Sequence, residues 1–306
     1  MSQLAQRPPL LAPGARVALI SPAGPLRGEQ DVERAVANAR KFGWEPVVGA
    51  HALARHGYLA GTDAERLGDL NAALRDSRID GVWCLRGGYG TMRLLDAIDY
   101  DALRRRPKTV IGYSDVTALH LAIHQRCGII SYHGPTARAE LTPFSRDSLE
   151  RAVRRGEDSC GAAAEAHALR PGRVRGRLIG GNLALVTSLL GTPFAPPLDG
   201  AILVLEDVNE PLYRIDRMLQ HLRLAGVLAR VGALVLGTFT ERGDESDVGD
   251  RSLDTVLCEA AGALNGPCLV GAPVGHIDDQ WTLPLGATAE LDAERCRLTI
   301  VFGDTA

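Results

Sequence analysis

No stretch of this 306-residue sequence approaches the ~18–20 uninterrupted apolar residues that a membrane-spanning helix requires. Its start, MSQLAQRPPLLAPGARVALISPAG, holds a short apolar patch broken by prolines and Arg16. The basic opening and continuous apolar core of a signal peptide are absent, so a cytoplasmic protein with no membrane partner is expected. An excess of charge of one sign is missing too. Lys+Arg number 34 against 37 Asp+Glu, for a net charge of −3, which gives no general affinity for nucleic acid or anionic membrane. Cys84, Cys127, Cys160, Cys258, Cys268 and Cys296 are scattered without a CxxC pair. That pattern is neither a disulfide framework nor a zinc site, and the thiols read as reduced and mostly buried.

What is present fits a globular protein. The chain is 45% hydrophobic and 23% charged, near globular averages, which excludes disordered and fibrous classes. At ~100–200 residues per domain the length implies about two domains. The first half alternates short apolar runs with amphipathic segments. Strands are expected at 16–21 (RVALIS), near 45–48, at 80–85 (DGVWCL) and at 108–112. Between them come a helix with Val32, Ala35, Val36, Ala39 and Phe42 at helical spacing, closed by Gly43, and another over 63–75. Such alternation predicts βαβ units and a parallel sheet. Periodicity fades after about residue 135, and the Ala- and Gly-rich stretch 156–172 reads as a linker. Domains over 1–155 and 173–306 follow. The second has strands at 201–206, 231–239 and 267–271 and a helix with Leu212, Ile215, Leu219 and Leu222 on one stripe. Its end reads as strands joined by a turn.

Several segments at expected strand ends have chemical potential. In Thr109-Val110-Ile111-Gly112-Tyr113-Ser114-Asp115-Val116-Thr117 a serine lies between a buried strand and a helix start, the geometry of a nucleophile elbow, although GxSxG is absent. Read alone, Ser114 and Asp115 are first of all a helix N-cap, where both residue types are favoured. Arg86-Gly87-Gly88-Tyr89-Gly90 follows the strand ending at Leu85; it is neither GxGxxG nor a P-loop, and reads as a tight turn or as a backbone N–H donor for an oxyanion. Glu206 follows the apolar run AILVL, and His276 follows another in Ala272-Pro273-Val274-Gly275-His276. Acidic residues at a strand's carboxyl end are well placed for an α/β active site, but also for a solvated loop. His120 and His124 are spaced HxxxH without the glutamate of HExxH and read as flanking an apolar stripe; His133 fits pocket lining or packing equally. Arg175 and Arg177, before Gly180-Gly181-Asn182, make too short a basic stretch for nucleic acid.

VALISPAGP, RGGYG, GYSD, GGNL, LEDVNEPLYRIDRML and PVGH occur in that order, and together they resemble the LD-carboxypeptidase family, the S66 serine peptidases, which also includes the microcin C immunity peptidases. The resemblance covers nearly the whole chain. It implies an N-terminal parallel-sheet domain with flanking helices, class I glutamine amidotransferase-like, and a smaller mixed α/β C-terminal domain. It further implies a catalytic triad of Ser114, Glu206 and His276, with the backbone N–H groups of Gly88 and Asp115 as oxyanion hole. No metal or organic cofactor is required. The implied reaction is removal of terminal D-alanine from cytoplasmic murein tetrapeptides by a homodimer. Such substrates carry several carboxylates, so Arg86 and Arg214 are expected to bind them, with Gly87 and Tyr89 lining the same site. A microcin C-like immunity peptidase and a non-catalytic murein-fragment binding protein are the alternatives.

Overall fold

Apolar runs become buried parallel strands, and the amphipathic stretches between them become the helices that cover the sheets. The computed structural model describes residues 5–241 and 251–302. In the first half β1 (Arg16–Ile20), α1 (Glu29–Lys41), β2 (Glu45–Val48), α2 (Asp63–Arg75) and β3 (Gly81–Cys84) follow the expected alternation. Next come α3 (Tyr100–Arg105), β4 (Thr109–Gly112), α4 (Thr117–Cys127), β5 (Ser131–His133) and α5 (Pro143–Glu150). α1 ends where Gly43 takes φ 77°, a left-handed conformation that costs glycine little. Thr62 and Glu65 close a reciprocal capping box at the start of α2.

The second half contributes β6 (Gly161–Ala162), β7 (His167–Arg170), β8 (Arg173–Asn182), α6 (Leu183–Leu189), β9 (Ile202–Glu210), α7 (Leu212–Leu224) and α8 (Val227–Arg230). It continues with β10 (Ala233–Glu241), α9 (Leu253–Gly262), β11 (Cys268–Val270), β12 (Leu283–Leu285), β13 (Thr288–Asp292) and β14 (Arg297–Val301). The stripe on α7 is buried as expected, with Arg214, Arg217 and Arg223 exposed beside it.

These strands form a six-stranded sheet, β12-β5-β4-β3-β1-β2, and an eight-stranded sheet, β6-β14-β13-β8-β9-β10-β11-β7. The first is parallel from β5 to β2; the second has a parallel centre, β8 to β11, with antiparallel flanks. The overall class is therefore mixed α/β. α4 packs on α6, so the helix after Ser114 lies against the second sheet's own helical layer.

The expected linker needs correction. Residues 156–172 are not a plain linker: β6 pairs with β14 and β7 with β11, so this Ala- and Gly-rich stretch supplies both edges of the second sheet. Strands this short at sheet edges need few large apolar side chains. From beyond residue 173, β12 returns to pair antiparallel with β5 in the first sheet. The sheet of the second half is moreover the wider of the two. No helix among the described residues is long and apolar enough to cross a membrane.

Candidate active site

Ser114 follows β4 and Tyr113 and opens a short 3₁₀ turn, Ser114–Val116, that runs directly into α4. Its φ is 64°, in the left-handed region that L residues avoid. Such a turn lifts the hydroxyl away from the sheet while the first N–H groups of the helix remain without intrahelical partners. β4 is held up to its last residue by His120, which is fully buried. Its Nε2–H donates to the Gly112 carbonyl at 2.8 Å, and Nδ1 accepts from the Ser131 hydroxyl at 2.9 Å. Burial pushes the His120 imidazole down to about 4, so it serves here as a neutral strut.

The Gly-rich loop after β3 packs on this turn. A Cβ on Gly87 would lie 2.8 Å from Ser114 Cβ and 3.0 Å from its Oγ, so only glycine fits there. Gly88 is exposed with φ 111°, and a Cβ on it would come within 3.1 Å of Gly24 Cα. The loop leaves through the Gly90–Thr91 peptide, whose two polar atoms are both taken by buried charged side chains. Arg66 Nη1 donates to the Gly90 carbonyl at 2.9 Å, and the Asp115 carboxylate accepts the Thr91 N–H at 2.8 Å. Arg66 also donates to the Pro22 carbonyl and is 1% exposed. Neither the Arg66 contact nor the side-chain role of Asp115 is apparent from sequence.

On the second sheet Glu206 sits fully buried in β9, and its Oε2 accepts a 2.9 Å hydrogen bond from His276 Nδ1. Gly275 makes this approach possible: with φ 127°, a Cβ there would lie 3.2 Å from both Cβ and Oε2 of Glu206. With Nδ1 engaged, Nε2 is left to act as acceptor, on a side chain still 21% exposed. The His276 ring lies 4.8 Å from that of Tyr113, the neighbour of Ser114. Burial, and the Glu206 carboxylate after it, raise the Tyr113 phenol above its ordinary value.

The GGN motif closes the gap between the two halves. A Cβ on Gly180 would fall 1.9 Å from the Val204 carbonyl oxygen, and one on Gly181 would meet Thr117 and His133. The Asn182 N–H donates to Thr117 Oγ1 at 3.0 Å, tying β8 to the start of α4. Asn182 Nδ2 donates to Asp207 at 2.9 Å, and burial pushes the Asp207 carboxyl up to about 6. His133 is fully buried beside Tyr113 without a hydrogen-bond partner, and burial holds its imidazole down to about 3.

Of the remaining candidates, Arg86 is half-buried beside Gly87 and donates to the Pro25 carbonyl. Tyr89 is exposed and packs edge-on against Tyr58 at 5.5 Å. Arg214 lies on the exposed flank of α7, ion-paired with Glu210 at 3.3 Å. Among the described residues no cluster of His, Cys, Asp and Glu could hold a metal ion.

Sequence comparison gives the same frame. The LD-carboxypeptidase N-terminal domain profile matches residues 17–134, and the C-terminal domain profile matches residues 175–291. A putative carboxypeptidase of Streptomyces coelicolor is 40% identical over 302 residues, covering 96% of both chains. The murein tetrapeptide carboxypeptidase of Pseudomonas aeruginosa is 38% identical over 296 residues, 92% of this chain and 94% of that one. The solved structure of the Escherichia coli microcin C7 self-immunity protein with glutamyl sulfamoyl guanosine overlays with a TM-score of 0.88 at 25% identity, over 98% of this chain and 99% of that one. With matches to both of its domains and relatives along nearly its full length, the chain belongs to the LD-carboxypeptidase family.

Proposed function

We propose that this protein is a serine carboxypeptidase that hydrolyses the L,D bond releasing terminal D-alanine from murein tetrapeptides. The observation that carries the reading is the Glu206–His276 hydrogen bond of 2.9 Å, with the His276 ring 4.8 Å from the residue preceding Ser114. A serine hydroxyl is a weak nucleophile at neutral pH, so it needs a base whose tautomer is fixed. Glu206 holds the Nδ1 proton of His276, and Nε2 takes the proton of Ser114 as Oγ attacks the scissile carbonyl. The N–H groups of Gly88 and Asp115 stabilise the resulting oxyanion. His276 then protonates the leaving D-alanine amine, and water, deprotonated by His276, hydrolyses the acyl-enzyme. No step calls on a cofactor.

Other features fit this assignment. The first sheet, parallel from β5 to β2, with its nucleophile turn after β4 is in keeping with a class I glutamine amidotransferase-like first domain. Ser114 is carried by the first half, Glu206 and His276 by the second, in a two-domain division of the chain. All six cysteines are free, as a reducing cytoplasm would leave them. A homodimer is carried over from the family resemblance.

The test is incubation of murein tripeptide, tetrapeptide and pentapeptide with pure protein, read by mass spectrometry. D-alanine release from the tetrapeptide, abolished by Ser114→Ala, is the expected result; unaltered cleavage by that variant ends the serine mechanism. The overlay on the microcin C7 self-immunity protein favours a second reading, cleavage of an acyl-sulfamoyl nucleotide, and the same assay with such a compound separates the two. Tetrapeptide binding without product would identify a non-catalytic binding protein.

A further inference from the structure

Between β1 and α1 the chain runs along the Gly-rich loop: the Gly24 N–H donates to the Gly87 carbonyl at 2.9 Å. Arginines from separate parts of the sequence gather around this segment and the first turn of α1. Arg86 donates to the Pro25 carbonyl, and Arg55 Nη2 to the Leu26 carbonyl at 3.3 Å. Arg138, beyond β5, reaches Asp31 Oδ1 at 3.4 Å, while Arg27 belongs to the segment itself and its backbone N–H donates to Asp31 Oδ2 at 2.9 Å. Among the described residues, Asp31 is the one carboxylate bonded into the group, and it is 7% exposed. Only the Arg138 guanidinium is bonded to that carboxylate; those of Arg86 and Arg55 are held by main-chain carbonyls, which carry no charge to balance them. Burial first, and then the neighbouring Arg138, Arg27 and Arg55, hold the Arg86 guanidinium below its ordinary value, with Asp31 acting in the opposite direction. Arg138 keeps a quarter of its side chain exposed, and its buried Nε has no hydrogen-bond partner.

Such a surplus of positive charge is unfavourable in an empty protein and is relieved by a bound anion. Its position matters. Gly87 lies so close to Ser114 that a Cβ on it would fall 3.0 Å from the serine Oγ, and Arg86 is its neighbour in the chain. The carboxylate of a terminal amino acid lies within one residue of the bond that frees it, about 3.8 Å from Cα to Cα. An endopeptidase has no use for a cation there, because an internal peptide bond has no charge. We propose that Arg86 and Arg138, braced by Asp31, form the subsite for the free α-carboxylate of the departing residue, and that this subsite restricts cleavage to the C-terminal end of the peptide. The inference rests on the carboxypeptidase reading and adds to it the residues that define exopeptidase action.

The experiment compares the tetrapeptide acid with the same peptide carrying a C-terminal amide. Wild-type protein should favour the acid in kcat/KM by roughly 10- to 100-fold, the range of a hydrogen bond to a charged group. Arg138→Met should remove most of that preference, Arg138→Lys should keep part of it, and Arg34→Met, which breaks an exposed pair with Glu140, should keep all of it. Calorimetric binding of both peptides to a Ser114→Ala background, with and without Arg138→Met, reads the subsite independently of turnover. Should wild-type protein cleave neither peptide, the catalytic reading fails while the binding arm still decides the subsite. Equal handling of acid and amide, or an undiminished preference in folded Arg138→Met, overturns the proposal.

Discussion

The two sides of the candidate site are built in opposite ways. On the side of the proposed nucleophile, Ser114 sits at φ 64° with Gly87 pressed against it and the Gly90–Thr91 peptide clamped beyond it. On the side of the proposed acid–base pair, neither Glu206 nor His276 is left-handed, and the pair is set by one hydrogen bond and the missing side chain of Gly275. Strain persists only where the surroundings over-determine it, which explains why the first side is crowded with supports and the second needs few. In the proposed triad the serine must be held in a conformation it would not choose, whereas the imidazole needs only its tautomer fixed.

Exchanging the carboxylate for an amide probes the second side most sharply. Glu206→Gln keeps the size and burial of the side chain but removes the charge facing the imidazolium and no longer enforces the Nδ1–H tautomer. Steady-state cleavage of the tetrapeptide should fall by about 10²- to 10⁴-fold, while the melting temperature changes little. A loss under tenfold would mean that Glu206 does not orient a catalytic histidine.

Next in size is the clamp on the first side. Asp115→Ala leaves the Thr91 N–H buried without an acceptor and frees one end of the Gly-rich loop, whereas Asp115→Asn can still accept that bond through Oδ1. If the clamp positions the oxyanion loop, the alanine variant should lose about 10- to 100-fold in kcat with KM nearly unchanged, and the asparagine variant should recover most of it. Equal losses in both variants, or a loss confined to thermal stability, would reduce the clamp to a purely structural contact.

Which parts were legible from sequence follows from how local each signal is. Strands such as β1, β3 and β4 are continuous apolar runs, and the stripe Leu212, Ile215, Leu219 and Leu222 declares α7 from within its own thirteen residues. The pairing of Glu206 with His276 spans 70 residues, so no periodicity encodes it; only the ordered motifs pointed to it. Arg66 escaped notice for a related reason. An arginine on a helix reads as solvated, and its burial depends on the carbonyls of Pro22 and Gly90 arriving from other loops. β12 was invisible as a member of the first sheet because three residues, Leu283–Leu285, do not reveal which sheet they will join.

The smallest predicted effect concerns stability alone and tests the contrast directly. Ser114→Ala and Ser114→Gly both remove the proposed nucleophile, so both should be inactive, but only alanine retains a Cβ at φ 64°. Glycine adopts that conformation at little cost, while the chain loses some stability through glycine's greater freedom when unfolded. The balance favours glycine at a left-handed position, so the Ser114→Gly variant should be the more stable of the two by about 1 kcal/mol in denaturant unfolding. If alanine proves equally stable or better, the turn stores no strain, and the crowding around Ser114 must be attributed to binding rather than to holding the nucleophile in place.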